Sequence, residues 1–430
     1  MLPPGPRTPR LWQSLRYVVQ PVPYVRELQE KYGDVFGLAS LAGTGIAVLD
    51  PALAKEIFAA PPDTFEAIPL LRAIFGQHAV IATARSEHRR QRKLLNPPFH
   101  GARIKALYAT MRTVIDRHLL AMRPRDEVRM LDIAQALALD VILETMFGAS
   151  LDGPMRARGR VLLGGTIHAF DPVLISTTKL HTRTFPVFRR YDDALRRLHA
   201  WFDEVIAGRR STGADHPDLL GLLLAARYED GAPLTDDELH DQLVTLLLAG
   251  HETSATALAW ATYWLLREPR VLAAVREETR DLGTDAIVKA PYLGAVVTET
   301  LRIEPIVTDV VRICREPFRL GPWTVPARGL VAVMLTTILN DPRVFPEPRS
   351  FRPERFLESR TYHVGELLPF GGGTRRCLGA TFAEAELAIA IATLANHLDL
   401  VLVEKEERSV RRNITMGPAR GVRVRVRSVS

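Results

Sequence analysis

The amino-acid sequence predicts a mainly α-helical protein with a small β-sheet region, an α+β architecture in a single domain, and three observations carry that prediction. Most segments longer than ten residues repeat their apolar side chains at a helical period. Short β-rich runs lie near both ends of the chain, each bounded by turn-forming or charged residues. The most apolar stretch, Leu243 to Leu266, carries His251 and Glu252 at its centre, where charge inside a bilayer would cost roughly 2.5–3.5 kcal/mol per residue. It therefore reads as a long buried helix.

In chain order, residues 1–20 open with MLPPGPRTPR, whose four prolines predict a Pro-rich arm and deny a signal peptide or anchor its unbroken apolar run. Val35 to Leu38 and Ile46 to Leu49 are predicted strands. Ile104 to Met122, Leu131 to Phe147 and Ala194 to Ile206 keep a helical period, and the Ser/Gly/Asp patch at Ser211 to Pro217 reads as a surface loop. The longest helix has a defined start, because Thr235 can cap while Glu238 reaches back, and a stop before Pro269. At about 1.5 Å per residue it would be roughly 50 Å long. Leu330 to Met334 is another strand, Thr381 to Leu398 another helix, and Leu398 to Val403 and Val422 to Val426 complete the sheet region. No repeat or boundary divides residues 1–430.

Composition excludes several classes. With 47% hydrophobic and 24% charged residues the chain is neither disordered nor collagenous. Its two cysteines, Cys314 and Cys377, supply no disulfide framework and suit a reducing cytoplasm. The net charge of +7 would suit nucleic acid, an anionic membrane or an acidic protein, but no nucleic-acid recognition module accompanies it.

The most informative stretch is FGGGTRRCLG, Phe370 to Gly379, followed at once by a helix rich in Ala, Glu and Leu. Three glycines permit a tight turn that exposes amides toward Cys377, and the helix places its positive end nearby, so both effects are expected to lower the thiol pKa. A thiolate is a soft, electron-donating ligand for iron. Elsewhere, Glu299 and Arg302 oppose charges on one helix face; Ala249, Gly250, His251, Glu252 and Thr253 place polar groups inside the apolar helix; and RSEHRRQRK sets His88 and Arg92 one turn apart.

Together these motifs resemble the cytochrome P450 family, from about residue 2 to 426 and in the family's order. The thiol loop fits F-x-x-G-x-R-x-C-x-G at Phe370, Gly373, Arg375, Cys377 and Gly379. The resemblance implies the cytochrome P450 fold, a single domain of helices around a buried haem b, with Cys377 as axial iron ligand. Phe370 would shield the sulfur, Gly373 and Gly379 would allow close approach of the porphyrin, and Arg375 would bind a propionate. His88, Arg92 and Arg312 match further propionate-binding positions, His88 standing where the family more often has Trp. Glu299, Arg302 and Arg355 (in FRPERF) would form the family's structural triad. In the long helix, Ala249 would face the haem, Gly250 would open room for dioxygen, Thr253 would hydrogen-bond it, and Glu252 would help deliver protons through water. His251 reads as packing.

The activity so implied is hydroxylation or epoxidation by O2, with electrons from NAD(P)H through a ferredoxin or flavodoxin and its reductase, since no flavin or iron–sulfur segment exists in the chain. Arg89, Arg90, Lys93 and Arg376 are expected to form a basic docking patch for that partner. Substrate contacts are expected from Ile68 to Ile81, Ile167 to Phe188, Leu246 to Ala249, Val307 to Val310 and Ile414 to Met416, with Phe75, Ile81, Leu246, Val307, Val310, Ile414 and Thr415 as pocket residues. Their aliphatic character suits a fatty acid, terpenoid, steroid or polyketide. Arg72, Lys179 or Arg183 at the mouth could hold a carboxylate. A monomer in the cytoplasm is expected. Two alternatives stay open: a haem-thiolate peroxygenase that needs no partner, and a haem protein that binds ligands without turnover.

Overall fold

Thr235 begins the central helix by a reciprocal pair of bonds. Its hydroxyl accepts from the Glu238 amide at 3.2 Å, and its own amide donates to the Glu238 carboxylate at 2.8 Å. Asp236, Asp237 and Glu238 occupy the first turn, at the positive end of the helix dipole. The helix runs Asp236–Arg267 and stops before Pro269. In this computed structural model, which describes residues 1–148, 151–169, 186–212 and 218–430, it is buried around most of its circumference, so it crosses the interior and has no fully solvated face. The helices Met130–Phe147 and Ala380–His397 pack on it, and with Trp201, Phe202, Trp260 and Phe147 they make the main apolar core. Among the described residues, no helix is long and apolar enough to cross a membrane.

The strands are Val35–Ala39 (β1), Thr44–Val48 (β2), Phe65–Glu66 (β3), Glu127–Arg129 (β4), Val310–Cys314 (β5), Phe318–Leu320 (β6), Trp323–Val325 (β7), Leu330–Val333 (β8), Leu398–Leu402 (β9), Ser409–Arg412 (β10), Thr415–Pro418 (β11) and Arg423–Val429 (β12). Five of them form one sheet in the order β1-β2-β8-β5-β3. The parallel pair β2 and β8 joins Gly45 to Leu330, so most of the helical chain lies between two neighbouring strands. A Cβ at Gly45 would sit 1.9 Å from the Leu330 carbonyl oxygen, which requires glycine there. Strand β5 runs antiparallel to β8 with Arg312 opposite Val331. The hairpin β10–β11 pairs Arg412 with Thr415.

Three expectations need adjustment. The helix expected over Ile104 to Met122 is two helices, Gly101–Ala106 and Tyr108–Leu119, separated at Leu107, whose amide bonds Ile104 at a tight turn without disturbing the apolar period. The helix expected over Ala194 to Ile206 extends over Pro186–Thr212, and the loop expected at Ser211 to Pro217 lies outside the described residues from 213 to 217. Within the expected Pro-rich arm, Arg10–Val19 is helical, because the prolines end at Pro9. Its Gln13 is buried, donating to the Pro6 and Thr8 carbonyls and accepting from the Ala39 amide at 3.1 Å, so this helix is strapped to β1.

Candidate active site

Cys377 sits on a turn whose backbone the glycines dictate. Gly371 and Gly373 take φ of 67° and 65°, a region L side chains rarely adopt. The Cys377 amide then donates to the Phe370 carbonyl at 2.9 Å, and the helix Ala380–His397 starts three residues later. The sulfur is walled in by protein, yet the residue is accessible because it faces an internal cavity. Burial pushes its thiol up; the Gly379 amide and the Arg376 and Arg92 guanidiniums pull it down by less. The lowering thus comes from the Gly379 amide at the start of the helix and from two guanidiniums, not from the amides of the three-glycine run as expected, and in the protein alone desolvation outweighs it.

The two loop glycines differ in what they serve. Gly379 has open space where a Cβ would stand and lines the cavity. Gly373 does not line it: a Cβ there would lie 2.1 Å from the Phe58 carbonyl oxygen, so this glycine is required by protein backbone packing and not by approach to a porphyrin. Phe370 lines the cavity and lies under the Arg376 guanidinium, 5.7 Å from ring centre.

Above the loop, Arg92, Arg312 and Arg375 border the same cavity with His88. Each guanidinium reaches only a backbone carbonyl: Arg92 that of Arg376 at 2.9 Å, Arg375 that of Thr83 at 2.6 Å, Arg312 that of Val311 at 3.0 Å. Among the described residues no carboxylate pairs with any of them. Burial, and then mutual repulsion, push Arg312 down to about 9 and Arg375 down to about 10, and burial beside all three pushes His88 down to about 3, leaving it neutral. Three unpaired cations around an apolar cavity need anionic partners. The two propionates of a haem, with Cys377 as ligand, match that donor set, so the residues present fit the group.

On the opposite wall, Ala249, Gly250, Glu252 and Thr253 of the long helix line the cavity. The Thr253 hydroxyl donates back to the Ala249 carbonyl at 2.7 Å. Glu252 is half-buried and its carboxyl is raised, first by desolvation, with Thr415 and Arg412 opposing. Gly250 lines the cavity beside Ile142, whose Cδ1 a Cβ there would meet at 3.0 Å, so the missing side chain leaves space at the cavity wall as well as for the neighbouring helix. His251 points away: its Nε2 faces the Gln135 carbonyl at 3.0 Å and burial pushes it down to about 4, as suits packing.

The cavity measures ≈ 870 Å³. Phe75, Ile81, Leu246, Val307, Val310, Ile414 and Thr415 all lie on its wall. Of the proposed mouth cations, Arg72 is exposed and off the wall, and Lys179 and Arg183, with 170–185 of the expected Ile167 to Phe188 contact segment, lie outside the described residues. Asp309 joins the wall within the expected segment Val307 to Val310, whereas sequence reasoning missed Tyr17 and Arg411, which reach it from opposite ends of the chain. It also missed Glu386, a fully buried carboxyl beside Ser254, where only the polar residue on an apolar helix face was a signal.

Glu299, Arg302 and Arg355 are buried together away from the cavity. Arg302 donates to both Glu299 oxygens at 2.6 and 3.0 Å, and Arg355 Nε donates to Glu299 at 3.2 Å. Further donors of the two arginines go to the Leu339 and Pro348 carbonyls and to the Pro346 and Ser350 carbonyls, the kind of polar support a buried ion cluster requires. The basic patch fares otherwise. Arg89 pairs with Asp63 at 3.1 Å, Arg90 with Asp230 at 2.9 Å and Lys93 with Glu229, so acids neutralise three of its four charges and only Arg376 keeps a field of its own.

The sequence model described as cytochrome P450 matches residues 2–421. Cytochrome P450 137 of Mycobacterium tuberculosis is 35% identical, over 99% of this chain and 91% of the relative. Cytochrome P450 138 of Mycobacterium bovis is 33% identical, over 99% and 96%. The solved structure of retinoic acid bound cyanobacterial CYP120A1 superposes with a TM-score of 0.89 at 25% identity, covering 100% of both chains.

Proposed function

The chain belongs to the cytochrome P450 family, and on that footing we propose that it oxygenates a small apolar molecule held between the long helix and Cys377. Membership makes it a haem-thiolate monooxygenase, an oxidoreductase that uses haem and O2 with electrons from a partner. When bound, haem supplies the redox chemistry by which one atom of dioxygen enters the substrate, and thiolate donation favours the O–O cleavage this needs.

The chain's own residues have distinct tasks in this reading. Cys377 ligates, the Gly379 amide donates toward its sulfur, and His88, Arg92, Arg312 and Arg375 hold the propionates of a haem b. Thr253 can turn its hydroxyl from the Ala249 carbonyl into the cavity, and Glu252, whose carboxyl burial raises, stands on the cavity wall where it can take up and pass on a proton. Electrons reach the protein from NAD(P)H through a ferredoxin or flavodoxin, docking near Arg376, where the local positive charge survives.

The observation that carries the substrate class is the lining: Phe75, Ile81, Leu246, Val310 and Ile414 would strip water from any ligand, which an apolar molecule tolerates and a multiply charged one does not. The retinoic acid of the cyanobacterial structure, an isoprenoid chain, supports the terpenoid or fatty-acid end of that range. The test supplies the haem-loaded enzyme with a surrogate ferredoxin, its reductase and NADPH, and screens fatty acids, terpenoids and steroids for products one oxygen heavier. Oxygenation confined to apolar compounds is expected; turnover of polar compounds alone, or with peroxide alone and never with the electron-transfer chain, would overturn the reading.

A further inference from the structure

One charged side chain on the cavity wall has no task in the reading above. Arg411, in β10, borders the cavity, yet its Nε and Nη2 are buried without any hydrogen-bond partner. Among the described residues no carboxylate lies within ion-pair distance of it. A guanidinium stays charged at any physiological pH, and leaving one desolvated and unpaired is unfavourable unless something else supplies the anion.

The surroundings hold Arg411 in place without satisfying it. Its Cζ lies 5.4 Å from the centre of the Tyr17 ring, on the helix Arg10–Val19. Asp309, the nearest candidate acid on the wall, is already committed: it accepts from the Tyr17 hydroxyl and, at 2.5 Å, from the Thr308 hydroxyl. Burial and the neighbouring Asp309 raise Tyr17 well above the ordinary phenol range, so its hydroxyl remains a donor. The aromatic ring is thereby fixed by one end while its face orients the arginine.

None of these four residues touches the Cys377 loop, whose own cations are Arg92, Arg375 and Arg376. The same cavity is lined by the apolar side chains of Ile68, Leu70, Phe75, Ile81, Leu246 and Ile414. With Arg92, Arg312 and Arg375 taken up by the propionates of a haem, a cavity left with one unsatisfied cation and this apolar lining matches a ligand with one anionic head and a hydrocarbon body. Resting on the proposed apolar substrate, we propose that Arg411 binds the carboxylate of that substrate, making the enzyme selective for long apolar monocarboxylic acids and leaving the hydrocarbon part toward the sulfur.

The test titrates the haem-loaded enzyme by calorimetry with palmitate, an isoprenoid acid and a steroid acid, each against its methyl ester. At least one acid should bind wild type roughly 10- to 100-fold more tightly than its ester, the range of a charge-assisted hydrogen-bonded pair. Arg411→Gln should abolish that ratio while leaving the ester's affinity unchanged, and Arg411→Lys, which keeps the charge but loses the fork, should retain part of it. Esters binding as well as acids in wild type, or a ratio indifferent to Arg411→Gln, overturns the proposal and leaves the apolar-substrate reading standing. Binding of neither acids nor esters overturns both.

Discussion

The Thr415 hydroxyl lies 2.8 Å from the Glu252 carboxylate and 2.9 Å from the Arg412 carbonyl oxygen, tying the long helix to the late hairpin at the edge of the cavity. One hydroxyl hydrogen cannot fully serve both acceptors. The two acceptors compete for it, so the bond from Thr415 offsets only part of the upward push of burial on the Glu252 carboxyl.

The first prediction follows from that pair. Thr415→Val deletes the group that opposes the upward push of burial on Glu252, so the carboxyl should rise further. If the ionised form of Glu252 must be regenerated in each turnover, the acid limb of the kcat profile moves to higher pH in Thr415→Val and disappears in Glu252→Gln. Superimposable pH–rate profiles for the three proteins would rule out a proton-transfer role for Glu252.

Thr253→Ala provides an independent check at the adjacent residue. Its hydroxyl bonds only within its own helix, to the Ala249 and Gly250 carbonyls, so truncation should change stability by no more than about 1 kcal/mol. The share of consumed NADPH recovered as hydrogen peroxide should nevertheless rise and product fall. Unchanged coupling would leave Thr253 a structural residue.

What could be read from the sequence was what short spacing controls. Thr235 with Glu238, and the turn from Phe370 to Gly379, are set by residues three to nine apart, and both occur where their motifs stand. What was not legible depends on distant partners. Nothing near Arg90 or Lys93 announces Asp230 and Glu229, some 140 residues away, which turn a basic patch into ion pairs. Gly373 reads as making room for a cofactor until Phe58, from a separate helix, takes the space. Arg411 in the run SVRR looks like one more solvated charge, because its burial comes from Tyr17 at the other end of the chain. The break at Leu107 was hidden for another reason, since a tight turn of one residue leaves the apolar period intact.

The buried triad gives a prediction on stability alone. Arg302→Ala would leave the fully buried Glu299 side chain held only by Arg355 and the Arg352 amide. Removing one partner of such a cluster costs about 3–5 kcal/mol. Arg302→Lys should recover little, because a single ammonium cannot replace two bonds to Glu299 and one each to Leu339 and Pro348. Urea unfolding of the haem-loaded protein measures it, and a loss below 1 kcal/mol would show the triad to be dispensable.

Arg312 separates cofactor retention from protein stability. In the protein without haem, its cation is desolvated beside Arg375 and is pushed down to about 9, so the unfolded chain binds more protons between about pH 9 and the ordinary arginine range, and stability rises with pH there. Arg312→Leu removes that penalty. The cofactor-free variant should be more resistant to urea than cofactor-free wild type at neutral pH, while its haem, deprived of one charge-assisted partner, should transfer to apomyoglobin roughly tenfold faster or more. A variant that loses stability and retains haem normally would place Arg312 in the fold and not at a propionate.

Glu386 yields the last prediction, and its sign is opposite to that of an ordinary surface carboxylate. It lies on the helix that follows Cys377, 2% exposed, with neither oxygen in a good hydrogen bond, and burial pushes it up to about 7 against a slight opposing effect of Ser254. Between the unfolded carboxylate value and about 7 the folded protein therefore holds a proton that the unfolded chain has released. Its contribution to stability is complete below the unfolded value and is lost as pH rises through that window, by about 3 kcal/mol in all. Glu386→Gln places a permanently neutral group of the same shape at the site. The variant should match wild type near pH 4, exceed it near pH 8, and show a flatter stability profile between, when urea midpoints are compared across that range. A wild-type profile that instead rises from pH 5 to 7, unaltered by the substitution, would mean that Glu386 is ionised and partnered in the folded protein.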